Sequence, residues 1–163
     1  MNQDTRSHDK LRFLLRVVGK EISHLDYAAE QAFSDGISIE RMQTLEHDQA
    51  LALIIEAFVS RFCRLQDTIG DKLLPAVLTA LGEQPAALLI NLDKAERYGW
   101  LESVEQWMLL RQIRNQMIHE YMEDVQKFTD AIQTAHASLN ILKNMADKLK
   151  DVCQQHLLVT KSR

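Results

Sequence analysis

The sequence predicts an all-α fold, an up-and-down bundle of four to five helices, on three observations. It holds only five Gly and two Pro in 163 residues, fewer turn-formers than a sheet-rich chain of this size needs. Apolar residues recur at three- and four-residue steps along most of its length. Its C-terminal part carries a long apolar seam whose spacing alternates between three and four. The length fits one domain over residues 1–163 with a real hydrophobic core, and residues 1–8 and 159–163 read as frayed tails.

The elements follow in order. Leu11, Leu14, Val18, Ile22, Leu25 and Ala29 mark a first amphipathic helix near 9–33. Ser34-Asp35-Gly36 then supplies a turn. Met42, Leu45, Ala52, Ile55, Val59, Phe62 and Ile69 predict a second, long helix from about 38. Gly70 and Pro75 should kink or break it, although Leu73, Leu74, Val77, Leu78 and Leu81 continue its stripe. A short helix covers Leu92 to Tyr98, with Gly99 at its C-terminal stop. Ser103 and Gln106 stand as a capping box, which starts the next helix at about 104 and carries it to about 118. Trp107, Leu110, Ile113 and Met117 form its buried face. The last helix holds the seam Val125, Phe128, Ile132, Ala135, Leu139, Leu142, Ala146 and Leu149. A period of 3.5 suits both an antiparallel bundle and a coiled-coil dimer, so the seam alone does not choose between them.

The bulk composition narrows the function. Apolar residues make up 46% and charged residues 26%, the balance of an ordinary globular protein. The net charge of −4 gives no basic footprint, so any RNA contact must come from a local cluster. Cys63 and Cys153 form no C-x-x-C pair and read as buried free thiols of a reducing cytosol. The polar N-terminus has no apolar signal-peptide core, and no apolar run approaches the roughly 18 residues of a membrane span. The expected setting is therefore cytoplasmic, with no membrane partner. His8, His24, His47, His136 and His156 make no close H-x-x-x-H pair, and H-E-x-x-H is absent, so no metal site is expected. No Gly-rich phosphate loop and no G-x-S-x-G occur, and no cofactor is expected.

One segment carries chemistry that a core does not need: Arg111-Gln112-Ile113-Arg114-Asn115-Gln116-Met117-Ile118-His119-Glu120-Tyr121. An Arg and a His five apart would be weak evidence alone. Asn directly after the Arg, and Tyr two after the His, cut chance occurrence to well below roughly one in a thousand. Each helical residue turns by about 100°, so Asn115 and His119 share a face while Arg114 and His119 lie about 140° apart. Both can serve one site if the chain bends near Ile118, or if a second protomer completes it. The structural alternatives are a helix-end polar residue for His119 and a surface ion pair of Arg114 with Glu120, Glu123 or Asp124. Asn115 can instead help end the helix, and Tyr121 can anchor the last helix. Arg111 can extend an RNA-binding patch or sit in a solvated salt bridge.

The string Arg114 to Tyr121 resembles the R-x-x-x-x-H-x-Y motif of HepT-like toxins of the HEPN superfamily. The stretch Ala95 to Trp100, with Trp107-Met108 and Arg114-Asn115, is similar to the related nucleotidyltransferase substrate-binding proteins. The resemblance implies a helical bundle that dimerises with two motifs facing one cleft. It implies a metal-independent RNase whose antitoxin partner is a minimal nucleotidyltransferase of the MNT type. It implies Arg114 and His119 as the working pair and Tyr121 as the residue that receives AMP.

The residues suit that chemistry. A histidine can act as base at a 2′-hydroxyl or as acid at a leaving 5′-oxygen near neutral pH. Arg114 can hold the phosphate and stabilise its developing charge. Asn115 can orient His119 or donate to a phosphate oxygen. An AMP group on Tyr121 would place negative charge where the RNA phosphate must bind. The competing reading is a non-catalytic helical subunit that binds and regulates a nucleotidyltransferase, and the acidic net charge leans toward it.

Overall fold

A computed structural model describes residues 3–157, and all of its regular structure is helical. The expected 159–163 tail lies outside the described residues. Helix α1 spans Gln3–Phe33, so residues 3–8 form its first turns and not a frayed end. It buries Leu11, Leu14, Val18, Leu25, Ala28 and Phe33 against the rest of the bundle. Its C-terminal end is closed from outside. The Arg41 guanidinium donates to the Ala32 carbonyl, one of the groups that a helix end leaves without an internal partner, and to the carbonyl of Gly36 in the turn that follows.

The second helix does not run unbroken from residue 38. A short α2, Ile39–Gln43, is capped by Ser38, whose side chain accepts from the Arg41 N–H. Thr44 turns back on it, donating to the Arg41 carbonyl at 2.7 Å. Asp48 then caps α3, Gln49–Asp67, by accepting from the Leu51 N–H at 3.0 Å. Apolar periodicity passes through this turn because Leu45 stays buried in it, but local capping decides the backbone.

Gly70 and Pro75 do not break the chain. A π-helical segment, Thr68–Leu73, joins α3 to α4, Leu74–Ala80. The Leu74 N–H bonds to the Ile69 carbonyl, five residues back. Pro75 lies just past the π segment, whose wider turn accommodates its ring and its missing N–H without breaking the helix. Gly70 has a packing reason. A Cβ there would lie 3.3 Å from Cζ2 of Trp107, so the glycine lets the indole lie against the π backbone.

Helix α5 spans Leu88–Arg97, four residues earlier than the apolar pattern indicates. Asn91 explains the difference. It is 1% exposed, and its amide closes on both the N–H and the carbonyl of Ala86 at 2.9 Å. Gly99 follows α5 with φ 78°, and the Trp100 N–H returns to the Ala95 carbonyl at 2.8 Å, the left-handed stop expected there. Helix α6 spans Val104–Glu120. The last seam is divided by Ser138 into α7, Val125–Ala137, and α8, Leu139–Val152, followed by a π turn at Cys153–Leu157.

The seam residues Phe128, Ile132, Ala135, Leu139, Leu142, Ala146 and Leu149 are buried within this one chain, in a core shared with Trp107, Phe58 and Phe62. The all-α bundle is thus built by the predicted stripes. Among the described residues, no helix is long and apolar enough to cross a membrane.

Candidate functional site

Helix α6 sets the site. Ser103 caps it by accepting from the Gln106 N–H at 3.2 Å, and Glu96 accepts from the Val104 N–H at 2.8 Å. Trp107, Leu110 and Met117 bury one face of α6 and Ile113 is half-buried. The helix continues through His119 to Glu120, two residues beyond the expected end. The chain turns only afterwards. Tyr121 leaves the helix with ψ 121°, Met122 has φ 65°, and Asp124 caps α7. A bend at Ile118 is therefore absent, and the angular separation of Arg114 and His119, about 140° on an α-helix, persists.

Opposite α6 lie α3 and the π segment. Residues Val59, Cys63, Asp67 and Asp71 descend at four-residue steps on the side facing α6. Arg114 donates to the Asp67 carboxylate, and Arg111 Nη1 lies 3.9 Å from Asp71 Oδ1. The partner of Arg114 is thus neither Glu120, Glu123 nor Asp124. Burial alone would lower the Arg114 pKa, but the hydrogen bond to Asp67, together with Cys63 and the Asp67 and Asp71 charges, more than offsets it and raises the pKa. The guanidinium stays fully charged. Cys63 lies beside this pair. Burial pushes its thiol above the usual range, and the Arg114 charge opposes that rise.

A groove of about 630 Å³ runs between the two elements, lined chiefly by Glu56, Val59, Ser60, Cys63, Arg64, Asp67, Thr68, Lys72, Met117, Ile118 and Tyr121. Its floor is apolar, from Val59, Met117 and Ile118. One end holds the Tyr121 phenol, whose pKa is raised by burial and by the charge of the nearby Glu56 carboxylate. The Tyr121 ring meets Phe128 edge-on at 5.3 Å. The other end carries Arg64 and Lys72. Thr68 between them donates to Glu21 Oε1 at 3.0 Å, which ties the π segment to α1.

The predicted residues divide into two sets. Arg114, Arg111 and Tyr121 are brought to the α3–α6 contact. Asn115 and His119 are exposed on α6, and no hydrogen bond joins them to each other or to Arg114 among the described residues. Sequence reasoning missed Asp67, Glu56, Cys63, Arg64 and Lys72. The spacing of four between Cys63 and Asp67, and of eight from Glu56 to Arg64 to Lys72, was visible, but it became informative only once the π segment kept that helix whole. Among the described residues there is no cluster of three or more His, Cys, Asp or Glu placed to hold a metal ion.

No family model, curated protein or solved structure matches the chain. The likeness to HepT-like proteins rests on the motif residues themselves.

Proposed function

We propose that this chain is a metal-independent endoribonuclease of the HEPN class, the toxin of a pair whose antitoxin is an MNT-type nucleotidyltransferase. The observation that carries this reading is the placement of the R-N-x-x-x-H-x-Y set. His119 and Asn115 project from the last turns of α6, while Tyr121, and Asp67 with Arg114 bound to it, stand at a groove large enough for a nucleotide.

The two key side chains point different ways on one helix, so the active species is a homodimer. Each protomer supplies one His119. One imidazole removes the 2′-hydroxyl proton and the other protonates the leaving 5′-oxygen. The 2′-oxygen attacks phosphorus, the P–O5′ bond breaks, and a 2′,3′-cyclic phosphate results. Arg114, held charged and directed by Asp67, stabilises the phosphorane-like charge. Asn115 donates to a phosphate oxygen, and Arg111 extends the contact along the strand. AMP transfer to the Tyr121 hydroxyl by the antitoxin would fill the groove and add a negative charge, silencing the enzyme.

A second reading has an observation of its own. Arg114 is already engaged by Asp67 and is 17% exposed in its side chain. That arrangement also fits a helical subunit that binds and regulates a nucleotidyltransferase without cutting RNA. The two separate on cleavage of total cellular RNA in EDTA, with an Arg114→Ala/His119→Ala double variant alongside. The nuclease reading expects cleavage by the parent alone. No cleavage by a folded parent free of AMP on Tyr121 transfers the proposal to the subunit.

A further inference from the structure

The groove between α3 and α6 has a chemistry that the motif residues do not use. Residues 56, 60, 64, 68 and 72 form a second four-residue ladder along its rim. Glu56 is at one end, Arg64 and Lys72 are at the other, and Ser60 lies between them. Arg64 and Lys72 are both exposed, and neither is within 4.0 Å of a carboxylate oxygen among the described residues. Asp67 is taken by Arg114, and Glu56 lies at the far end of the groove with Tyr121. Glu21, behind Thr68, accepts from the Thr68 hydroxyl through Oε1, leaves Oε2 without a hydrogen bond, and attracts Arg64 and Lys72 from beyond ion-pair distance. Two available cations thus stand two turns apart above an apolar floor of Val59 and Ile118, in a chain whose net charge is −4. Ile118 is 53% exposed in this floor.

On the reading of the chain as a ribonuclease, we infer that this groove is an RNA subsite for a single strand flanking the scissile bond. Arg64 and Lys72 hold backbone phosphates, and a nucleobase lies against Val59 and Ile118. A single strand fits better than a duplex. The floor offers apolar side chains for an unstacked base, and two cations suffice only for local phosphate contacts. The charge is polarised along the groove. The strand therefore enters with phosphate at the Arg64/Lys72 end and leaves the Glu56/Tyr121 end to uncharged or hydroxyl-bearing groups. This also accounts for RNA contact by an acidic protein, since the attraction is confined to one rim.

The test uses a labelled single-stranded oligonucleotide with 2′-O-methyl riboses, which lacks the attacking hydroxyl and so reports binding alone. Anisotropy is read for the full-length parent and for Arg64→Ala/Lys72→Ala over about 50 to 200 mM salt. Loss of two phosphate contacts should weaken binding about tenfold or more and reduce the salt slope by roughly 1.4. On cleavable RNA the same variant should raise KM more than it lowers kcat. Ser60→Trp, which fills the groove at an exposed position without changing charge, should weaken binding with the salt slope kept. Equal binding by parent and Arg64→Ala/Lys72→Ala, with cleavage intact, overturns the subsite and leaves the nuclease reading standing. Binding that depends on Arg64 and Lys72 in a parent that cuts no RNA supports the subsite and overturns the nuclease reading. A parent that neither binds nor cuts overturns both. Loss of self-association in sedimentation, with RNA binding unchanged, would assign the groove to a second copy of the chain.

Discussion

Arg114 and Asp67, 47 positions apart in sequence, form the least exposed cation–carboxylate contact among the described residues, with Arg114 17% exposed in its side chain. The contact joins the last turns of α6 to the end of α3. Removing one partner strands the other in a half-buried place, which costs more than the pair itself contributes. Asp67→Ala should therefore lower unfolding stability by about 1–3 kcal/mol. Asp71→Ala, which releases the looser and more exposed Arg111, should cost no more than about 0.5 kcal/mol. Urea unfolding of both variants, with a double-mutant cycle on Asp67 and Arg114, measures this. A coupling near zero would show that the contact does not hold α6 in place.

The Gly70–Trp107 contact gives a prediction of opposite sign at two glycines. Gly19 sits inside α1 with nothing within 4 Å of where a Cβ would go. Gly19→Ala should stabilise by about 0.5–1 kcal/mol through helix propensity. Gly70→Ala meets the ring of Trp107, which is 0% exposed and has little room to move. Overpacking should exceed the propensity gain and destabilise by about 1 kcal/mol. Thermal unfolding separates the two. Equal stabilisation at both sites would mean that the indole yields, and that Gly70 is not what seats α6 on the π segment.

Where side-chain spacing decides structure, the sequence was readable. Phe128 to Leu149 pack as their period requires, and Trp107, Leu110 and Met117 bury the face of α6 that their spacing selects. What was not readable depends on competition or on distance. At Thr44 to Asp48, capping hydrogen bonds defeat an apolar stripe that continues through the turn. At Gly70 and Pro75, a wider helical turn removes the conflict that a break would have relieved. Asn91 reads as an ordinary polar residue until Ala86 is seen to fold back on it. The candidate site divides in the same way. Arg114, His119 and Tyr121 stand out in one string, but Asp67, Arg64 and Lys72 join them only through the meeting of α3 and α6. No local rule could have chosen Asp67 over the nearby Glu120 for Arg114.

Cys153 is fully buried, and burial pushes its thiol up to about 11 from an ordinary value of 9.0. The folded state therefore keeps a proton that the unfolded chain releases at lower pH. Stability attached to this thiol is fully present below about pH 9 and is lost as pH rises toward about 11. The loss should be roughly 2 kcal/mol. Cys153→Ala should flatten that part of the stability–pH curve, although it lowers stability overall by opening a small cavity. In the native protein at pH 8, iodoacetamide should label Cys63, which borders the groove, well before Cys153. Labelling at equal rates would show that the C-terminal end of α8 opens readily.

Tyr121 combines a structural and a proposed regulatory part, and one substitution separates them. Its ring packs edge-on against Phe128, while its hydroxyl is the group on which the Glu56 charge acts. Tyr121→Phe keeps the ring contact and removes the hydroxyl. Glu56 is exposed and solvated, so stability should fall by no more than about 1 kcal/mol. If the hydroxyl is only the AMP acceptor, the variant should cut RNA at the parent's rate. It should also gain no mass of AMP when incubated with a nucleotidyltransferase partner and ATP, and it should stay active where the parent is silenced. Mass spectrometry of the intact protein reads the modification, and RNA cleavage before and after incubation reads the silencing. A variant that the partner still silences would place the inhibition in partner binding over the groove, and Tyr121 would keep only its packing against Phe128.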